Sequence, residues 1–206
     1  VSSFKDGKFT SYSQTDGLGS PMVTSVAIAG DGTVWAGTGW GMARFEGSSW
    51  TNFTTDQGLQ SNAVNAVAIA PDGAVWAGTS LGLSRFDGKN WQNYKTPDSV
   101  PLKQITDIAF DPAGTVWLAN PEGLLSLKDG SWKLYTQADG LSYKFVTSVA
   151  VAPDGALWAA TAGQGANRYD GSTWQIFRRE EGLSYNTQDI AVAADGSLWF
   201  STTGYG

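Results

Sequence analysis

The chain contains neither cysteine nor histidine among its 206 residues, and each absence removes a class of chemistry. Without cysteine there are no disulfides, no thiol nucleophile and no thiolate metal ligands. Without histidine the commonest general base and the commonest metal ligand are missing as well. We therefore expect no cofactor and no metal site, and catalysis is the least favoured class of function.

Positive charge and long apolar runs are also scarce. Lysine and arginine total 13 against 19 aspartates and glutamates, which gives a net charge of −6, and no basic run is longer than Arg178–Arg179. This balance disfavours binding to a nucleic-acid backbone. No apolar run approaches the roughly 18 residues that a membrane-spanning helix needs, so we expect no membrane insertion. The chain begins with Val1 and without a signal-peptide pattern, as expected of a mature or trimmed chain.

What the chain has instead is repetition, with a tryptophan at a constant spacing of 41 residues. The five lie in phrases such as VWAGT: Trp35, Trp76, Trp117, Trp158 and Trp199. A second aromatic keeps almost the same spacing: Phe9, Trp50, Trp91, Trp132 and Trp174. A fixed period near 40 residues, with a tryptophan and several turn glycines in each unit, is typical of propeller blades or solenoid coils.

One unit shows the internal organisation. In the second unit, strands are predicted at 63–70, 74–79, 83–87 and 91–94, separated by turns rich in Gly, Asp, Asn and Pro. Short segments rich in Val, Ile, Phe and Trp between such turns indicate antiparallel strands. No segment shows a sustained 3.6-residue apolar rhythm, so no helix is predicted. Four short strands in each unit favour a β-propeller blade.

The two ends of the chain complement each other. Val1–Tyr12 matches the third and fourth strands of a unit, whereas 187–206 matches the first and second. We therefore predict an all-β, five-bladed β-propeller with four antiparallel strands per blade, whose last blade is closed by strands from both termini. Such closure removes the exposed strand edges that promote aggregation. Residues 1–206 would form a single domain.

Much of the repeated chemistry is explained by structure. The tryptophans of the VWAGT phrases lie in mid-strand, where a large aromatic fills the gap between blades. Aspartates precede a turn glycine because an Asp-Gly pair suits a hairpin that needs positive φ. They are Asp31, Asp72, Asp154 and Asp195. A Gly-Leu pair recurs in the long loop of four units, and its leucine is expected to plug the blade edge.

The unit resembles the two-component regulator propeller repeat. The resemblance rests on 58–64 (GLQSNAV), 72–79 (DGAVWAGT) and 82–88 (GLSRFDG), and it extends over the whole chain. Members of that family often lie in bacterial extracytoplasmic sensors, where rings of seven blades perceive carbohydrates or other ligands. The resemblance therefore implies a secreted or periplasmic propeller that binds a ligand. This chain differs in having five units and no attached signalling domain.

Positions that break the repeat are the candidates for function. The residue before the glycine of the second-to-third strand loop differs in every unit: Trp40, Leu81, Glu122, Gln164 and Tyr205. An aromatic there suits stacking on a sugar or a peptide ring. In the long loops, Tyr143, Tyr185 and Arg178 are further candidates. The two tyrosines are equally well explained as caps that fold back on a blade. We predict that Trp40 and Tyr205 stack on a ligand and that Gln164 and Arg178 donate hydrogen bonds.

A second irregularity lies in the first strands, which carry a polar pair at the same position of each unit. The pairs are Thr24-Ser25, Asn65-Ala66, Thr106-Asp107, Thr147-Ser148 and Gln188-Asp189. They predict a hydrated central channel lined by Asn65, Asp107, Gln188 and Asp189. Paired carboxylates such as Asp107 and Asp189 can also perform glycosidase chemistry or hold Ca²⁺. Channel water that solvates the two carboxylates is the simpler explanation.

The sequence thus favours a monomeric, non-enzymatic propeller that binds a carbohydrate or a protein through one loop face. The alternative is a ligand-free scaffold for display or assembly, built from amplified or idealised repeats. A glycosidase-like hydrolase is the third hypothesis. It ranks last because such an enzyme needs a further acid on the inner strands, and none is evident.

Overall fold

The structure, a computed structural model, describes residues 1–97, 100–102 and 104–204. The chain forms two compact units, Val1–Tyr94 and Lys95–Gly206. Each unit is built from antiparallel strands joined in sequence order.

The first unit consists of two four-stranded sheets and one hairpin, in the strand orders β3-β4-β5-β6, β7-β8-β9-β10 and β1-β2. Its strands are β1 (Ser2–Lys5), β2 (Lys8–Ser11), β3 (Val23–Ile28), β4 (Val34–Thr38), β5 (Gly41–Phe45), β6 (Trp50–Phe53), β7 (Val64–Ile69), β8 (Val75–Thr79), β9 (Gly82–Phe86) and β10 (Trp91–Asn93). In both full sheets the tryptophan of the second strand lies opposite an arginine of the third, so the register repeats between copies.

The second unit repeats this plan, in the orders β11-β12-β13-β14, β15-β16-β17-β18 and β19-β20. Its strands are β11 (Asp107–Phe110), β12 (Val116–Asn120), β13 (Gly123–Lys128), β14 (Ser131–Tyr135), β15 (Val146–Val151), β16 (Leu157–Thr161), β17 (Ala166–Tyr169), β18 (Trp174–Phe177), β19 (Thr187–Val192) and β20 (Leu198–Thr202). The prediction of an all-β fold made of four-stranded antiparallel blades is confirmed. β1 pairs with β2 and β19 pairs with β20, each as a two-stranded sheet, and by sequence pattern these are the strands predicted to make up the fifth blade.

The strand boundaries in the second blade agree with the predicted ones to within about one residue. The structure differs in having four single-turn 3₁₀ helices in the long loops, where no helix was predicted: Gln14–Asp16, Thr55–Gln57, Gln137–Asp139 and Arg179–Glu181. In each of these loops the residue just before the helix donates its N–H to the side chain of the last residue of the helix. This is half of a capping box, which stabilises a single helical turn without any apolar periodicity. The periodicity rule therefore could not detect these turns.

Three of the four leucines that follow these turns are buried as predicted, whereas Leu183 is half-buried. Leu18, Leu59 and Leu141 are each 3% exposed. The glycine before each leucine has a positive φ, for example 112° at Gly140. A left-handed residue reverses the chain after the turn, which directs the leucine inward. The recurrent Gly-Leu pair is therefore a plug and not a ligand site.

The Asp-Gly turns are also confirmed. In each, one carboxylate oxygen accepts the N–H two residues on, at 2.9 Å, and the following glycine has a φ between 82° and 88°. In the third blade, whose turn reads PAG, Asp111 performs the same task from two positions earlier, because it accepts the N–H of Thr115 at 2.8 Å. It also accepts the indole N–H of Trp117 at 2.9 Å. These carboxylates are turn formers.

The cores lie between neighbouring blades of each unit. In the first unit the cluster consists of Trp35, Met42, Leu59, Val64, Val67, Val75, Ala77 and Phe86. In the second it consists of Trp117, Ala119, Leu124, Tyr135, Leu141, Val146, Val149, Leu157 and Ala159. Trp35 and Trp117 thus fill the gaps as predicted, and Trp158 packs beside a smaller cluster. The prediction is wrong for Trp199, which lies in the two-stranded sheet β19-β20 and is 68% exposed.

Candidate functional site

The loop between the second and third strands is held by one side chain in every full blade. In the first, second and fourth blades this is the threonine that ends the VWAGT-type phrase. Its hydroxyl donates to a glycine carbonyl across the loop at 2.8–2.9 Å. The same hydroxyl accepts an N–H from within the loop at 3.1–3.2 Å. In the third blade Asn120 performs the second task, since its Oδ1 accepts the N–H of Glu122 at 2.8 Å.

The residue whose N–H is accepted in this way is the one that varies between blades. It is Trp40 in the first blade, Leu81 in the second, Glu122 in the third and Gln164 in the fourth. Tyr205, which occupies this position in the fifth repeat of the sequence, lies outside the described residues. One hydrogen-bonded frame therefore presents a different side chain from each blade.

In the first unit this frame exposes large apolar side chains. Trp40 is 63% exposed and Leu81 is 58% exposed. Met22, from the preceding long loop, lies over Gly39, where a Cβ would come within 2.3 Å of its Cε. Met22 is itself 61% exposed, and its carbonyl accepts the N–H of Gly39 at 3.0 Å. The sequence analysis did not single out Met22. Its position just before β3 could have indicated a contact with the β4–β5 loop, which carries Trp40.

In the second unit the side chains of the candidate residues differ in their exposure to solvent. Tyr143 is half-buried and lies on Gly163, where a Cβ would come within 3.4 Å of its ring. Tyr185 is exposed, while its carbonyl accepts the N–H of Gly165 at 2.8 Å. Gln164 is half-buried. Tyr143 therefore packs on the β16–β17 loop of the same blade, whereas Tyr185 presents its side chain to solvent.

Arg178 begins the last 3₁₀ turn. Its N–H donates to the carboxylate of Glu181 at 2.8 Å, and its side chain is half-buried. Its backbone thus takes part in the local turn.

The polar pairs of the first strands join successive blades. The first member donates its hydroxyl to a carbonyl of the next blade: Thr24 to Val64 at 2.7 Å, and Thr147 to Thr187 at 2.8 Å. The second member accepts an N–H from the next blade, as Ser25 does from Val67 at 3.1 Å. These contacts occur where four of the first strands shift register. The polar residues therefore satisfy backbone groups that an irregular ladder leaves unpaired.

Asp107 and Asp189 take part in the same pattern. Oδ2 of Asp107 accepts the N–H of Val149 at 2.8 Å, and its Oδ1 accepts the N–H of Ile108 at 2.8 Å. Oγ of Ser148 lies 2.6 Å from Oδ2 of Asp107 and 2.9 Å from Oδ1 of Asp189. Since both oxygens contact that one atom, they lie at most 5.5 Å apart, the sum of the two distances. The structure thus brings together two of the predicted channel residues around a serine.

Burial raises the pKa of the Asp107 carboxyl above its ordinary value, and the charge of Asp189 acts in the same direction. Hydrogen bonds from Ser148, Val149 and Ile108 oppose this shift by stabilising the ionised form. Of the other predicted channel residues, Asn65 is half-buried, and exposed Gln188 donates to Oδ1 of Asn186 at 2.7 Å.

A charged cleft of about 250 Å³ lies in the first unit, beside the first-to-second and third-to-fourth strand turns. Arg85 bridges Asp72 there at 2.7 Å, and Arg168 bridges Asp154 in the same way, at 2.8 Å, in the fourth blade. In the first blade the equivalent arginine, Arg44, pairs instead with Glu46 at 3.2 Å and lies over the ring of Trp35. Sequence reasoning did not single out this cleft, because its charges belong to repeated turns.

Across residues 1–97, 100–102 and 104–204, no group of three or more acidic, cysteine or histidine side chains is arranged to hold a metal ion. Over the same residues, no helix has the length and apolar character needed to cross a membrane.

Comparison with known proteins gives structural matches only, since no family model and no curated protein sequence matches the chain. The extracellular domain of a hybrid two-component system from B. thetaiotaomicron matches at a TM-score of 0.80 and 21% identity, over 96% of this chain and 28% of that one. PorZ, a surface component of the type-IX secretion system of Porphyromonas gingivalis, matches at 0.75 and 19%, over 98% and 34%.

Virginiamycin B lyase from Staphylococcus aureus matches at a TM-score of 0.72 and 18% identity, over 88% of this chain and 63% of the lyase. This chain therefore spans between about a quarter and two thirds of the length of these proteins. Extracellular domains of two-component systems and a lyase appear among the matches, so the likeness carries no common activity. At these identities the comparisons establish the fold, and the chain is an all-β protein built from the four-stranded blades of a β-propeller.

Proposed function

We propose that this chain is a non-enzymatic recognition module that binds a carbohydrate or a protein, with Trp40 as its main contact in the first unit. One observation carries the proposal: a common hydrogen-bonded frame presents a different side chain from each blade. Packing requires the frame, but it does not require an indole that is 63% exposed at the loop tip. A large aromatic held in place and exposed to solvent is a favourable binding element, because little entropy is lost when it makes contact.

Further contacts are proposed for each unit separately. In the first unit, Met22 and Leu81 extend the apolar surface around Trp40. In the second unit, exposed Tyr185 stacks on the ligand, and Gln164 and Arg178 donate hydrogen bonds to it. Tyr143 acts indirectly, because its ring supports the loop at Gly163.

We also propose that the repeat is of the two-component regulator type and that the protein acts as a monomer outside the cytoplasm. The structural likeness to extracellular domains of hybrid two-component systems supports the repeat type. The surface location of PorZ supports the cellular compartment.

A ligand-free scaffold is the second candidate, and one observation favours it. The polar pairs of the first strands, which the sequence predicted to line a channel, make hydrogen bonds between successive blades. A scaffold would need such bonds and no variable contact residues. It therefore predicts that changing Trp40 alters no binding.

Hydrolysis remains the least favoured function. The carboxyl oxygens around Ser148 lie within the spacing of about 5–5.5 Å that retaining glycosidases use between carboxyl groups. However, both oxygens of Asp107 already accept backbone N–H groups. We propose on this ground that Asp107 is structural and that oligosaccharides are not hydrolysed.

The test is a glycan array followed by titration of the binding oligosaccharides, monitored by tryptophan fluorescence. Trp40→Ala should weaken binding roughly 30-fold, which corresponds to the 2 kcal/mol typical of an interface hot spot. Trp199→Ala is the matched control, because that indole is equally exposed but lies in a strand. Absence of binding to every glycan would exclude a carbohydrate ligand, and equal affinities of the two variants would exclude the Trp40 site.

A further inference from the structure

The contacts around Ser148 involve more acceptors than the serine has protons. Its Oγ lies 2.6 Å from one carboxyl oxygen and 2.9 Å from another. The N–H of Ile190 is shared between this Oγ, at 3.3 Å, and Oδ1 of Asp189, at 2.9 Å. A hydroxyl has one proton to donate and two lone pairs to accept with. It can therefore donate to only one of the two carboxylates.

The second oxygen–oxygen contact needs a proton from elsewhere. If both carboxyls were ionised, a lone pair of Oγ would face a carboxylate oxygen at hydrogen-bond distance, which is repulsive. If one carboxyl is protonated, every group is satisfied. The acid donates to Oγ, the hydroxyl donates to the remaining carboxylate, and the N–H of Ile190 donates to Oδ1 of Asp189 with a weaker contact to the second lone pair of Oγ. The serine then uses its full capacity of two acceptors and one donor.

We propose that the Asp107–Ser148–Asp189 chain holds one proton beyond that of the serine hydroxyl, and that this proton makes the joints between β11, β15 and β19 sensitive to pH. The three residues lie on three successive first strands of the second unit, at the same position of the repeat. With the proton in place, the side chains form a continuous hydrogen-bonded clamp across those strands. Loss of the proton converts one of the two contacts into a repulsion.

Asp107 is the member that holds the proton. It makes the shorter contact with Oγ, at 2.6 Å, and it is less exposed than Asp189. Burial acts on it to favour the neutral acid. The strands packed against β11 bring no cation that would oppose this, because β12 and β15 contain no titratable side chain and β19 contributes only Asp189.

The experiment is a pH titration of the full-length protein, labelled with ¹³C, in which each aspartate carboxyl carbon is followed by NMR. The carboxyl of Asp107 should titrate above its ordinary value of 3.8. The internal control is Asp195 in the same unit, whose pKa is lowered by hydrogen bonds from the hydroxyl and N–H of Ser197. Its carboxyl should titrate below the ordinary value in every variant.

Asp189→Asn tests whether Asp107 and Asp189 share one extra proton through Ser148. An amide at 189 can donate to Oγ of Ser148, whose hydroxyl then donates to an ionised Asp107, so the extra proton is no longer needed. The titration of Asp107 should therefore shift to lower pH. A midpoint for Asp107 at or below 3.8, or one that Asp189→Asn leaves unmoved, would overturn the proposal.

Discussion

Replacement of Thr79 by valine tests the loop frame on which the proposed function depends. The side chain of Thr79 is fully buried, and valine has almost the same shape, so the packing should be preserved. The change removes two hydrogen bonds, one to the carbonyl of Gly82 at 2.9 Å and one from the N–H of Leu81 at 3.2 Å. At about 0.5–1.5 kcal/mol for each net bond, we expect a loss of about 1–3 kcal/mol in the free energy of unfolding.

The measurement is urea denaturation of both proteins, monitored by circular dichroism, together with amide hydrogen exchange. The exchange of the Leu81 N–H should accelerate, since its acceptor has gone. Thr51→Val is the matched control, because Thr51 is exposed on β6, and surface changes of this kind stay within about 0.5 kcal/mol. An equal effect of the two substitutions, or unchanged protection of Leu81, would refute the argument that the threonine hydroxyl holds the loop.

Two further predictions concern the core and the acidic side chains. Trp117→Ala should cost about 3–5 kcal/mol, since this indole is buried between blades, whereas exposed Trp199→Ala should change the unfolding midpoint little. Denaturation of both variants checks this, and similar losses would contradict it. The raised pKa of Asp107 means that its contribution to stability is fully present in acid, below the ordinary carboxyl pKa, and is lost as the pH rises through the folded value. Denaturation between pH 3 and 8 should therefore show a smaller alkaline loss for Asp107→Asn, and an unchanged profile would count against a buried neutral acid.

The sequence predicted the blades, the Asp-Gly turns and the leucine plugs because each occurs in several copies. A turn that works with Asp72 and again with Asp154 must be formed by features that the copies share, which are the carboxylate and the positive-φ glycine. The single-turn helices were not predicted because side-chain capping stabilises them, whereas the prediction relied on apolar periodicity.

Other features could not be predicted because they depend on neighbours that the repeat does not specify. Trp199 has the same sequence context as Trp117, but it lies in a two-stranded sheet and its side chain is 68% exposed. The contact of Met22 with Gly39 depends on how a long loop folds. The contact of Asp107 with Ser148 could have been predicted from the sequence, because residues 41 apart occupy the same position on adjacent first strands.

The bonds between successive first strands have a consequence for how such a protein can grow. The first, third and fourth blades each offer a donor and an acceptor to the blade that follows, as Thr24 and Ser25 do toward β7, and the fourth blade receives equivalent bonds from the third. Both halves of the joint are thus encoded within one 41-residue module. Gene duplication of a whole module supplies a new joint together with the new blade, so the number of blades can change without the evolution of a new interface.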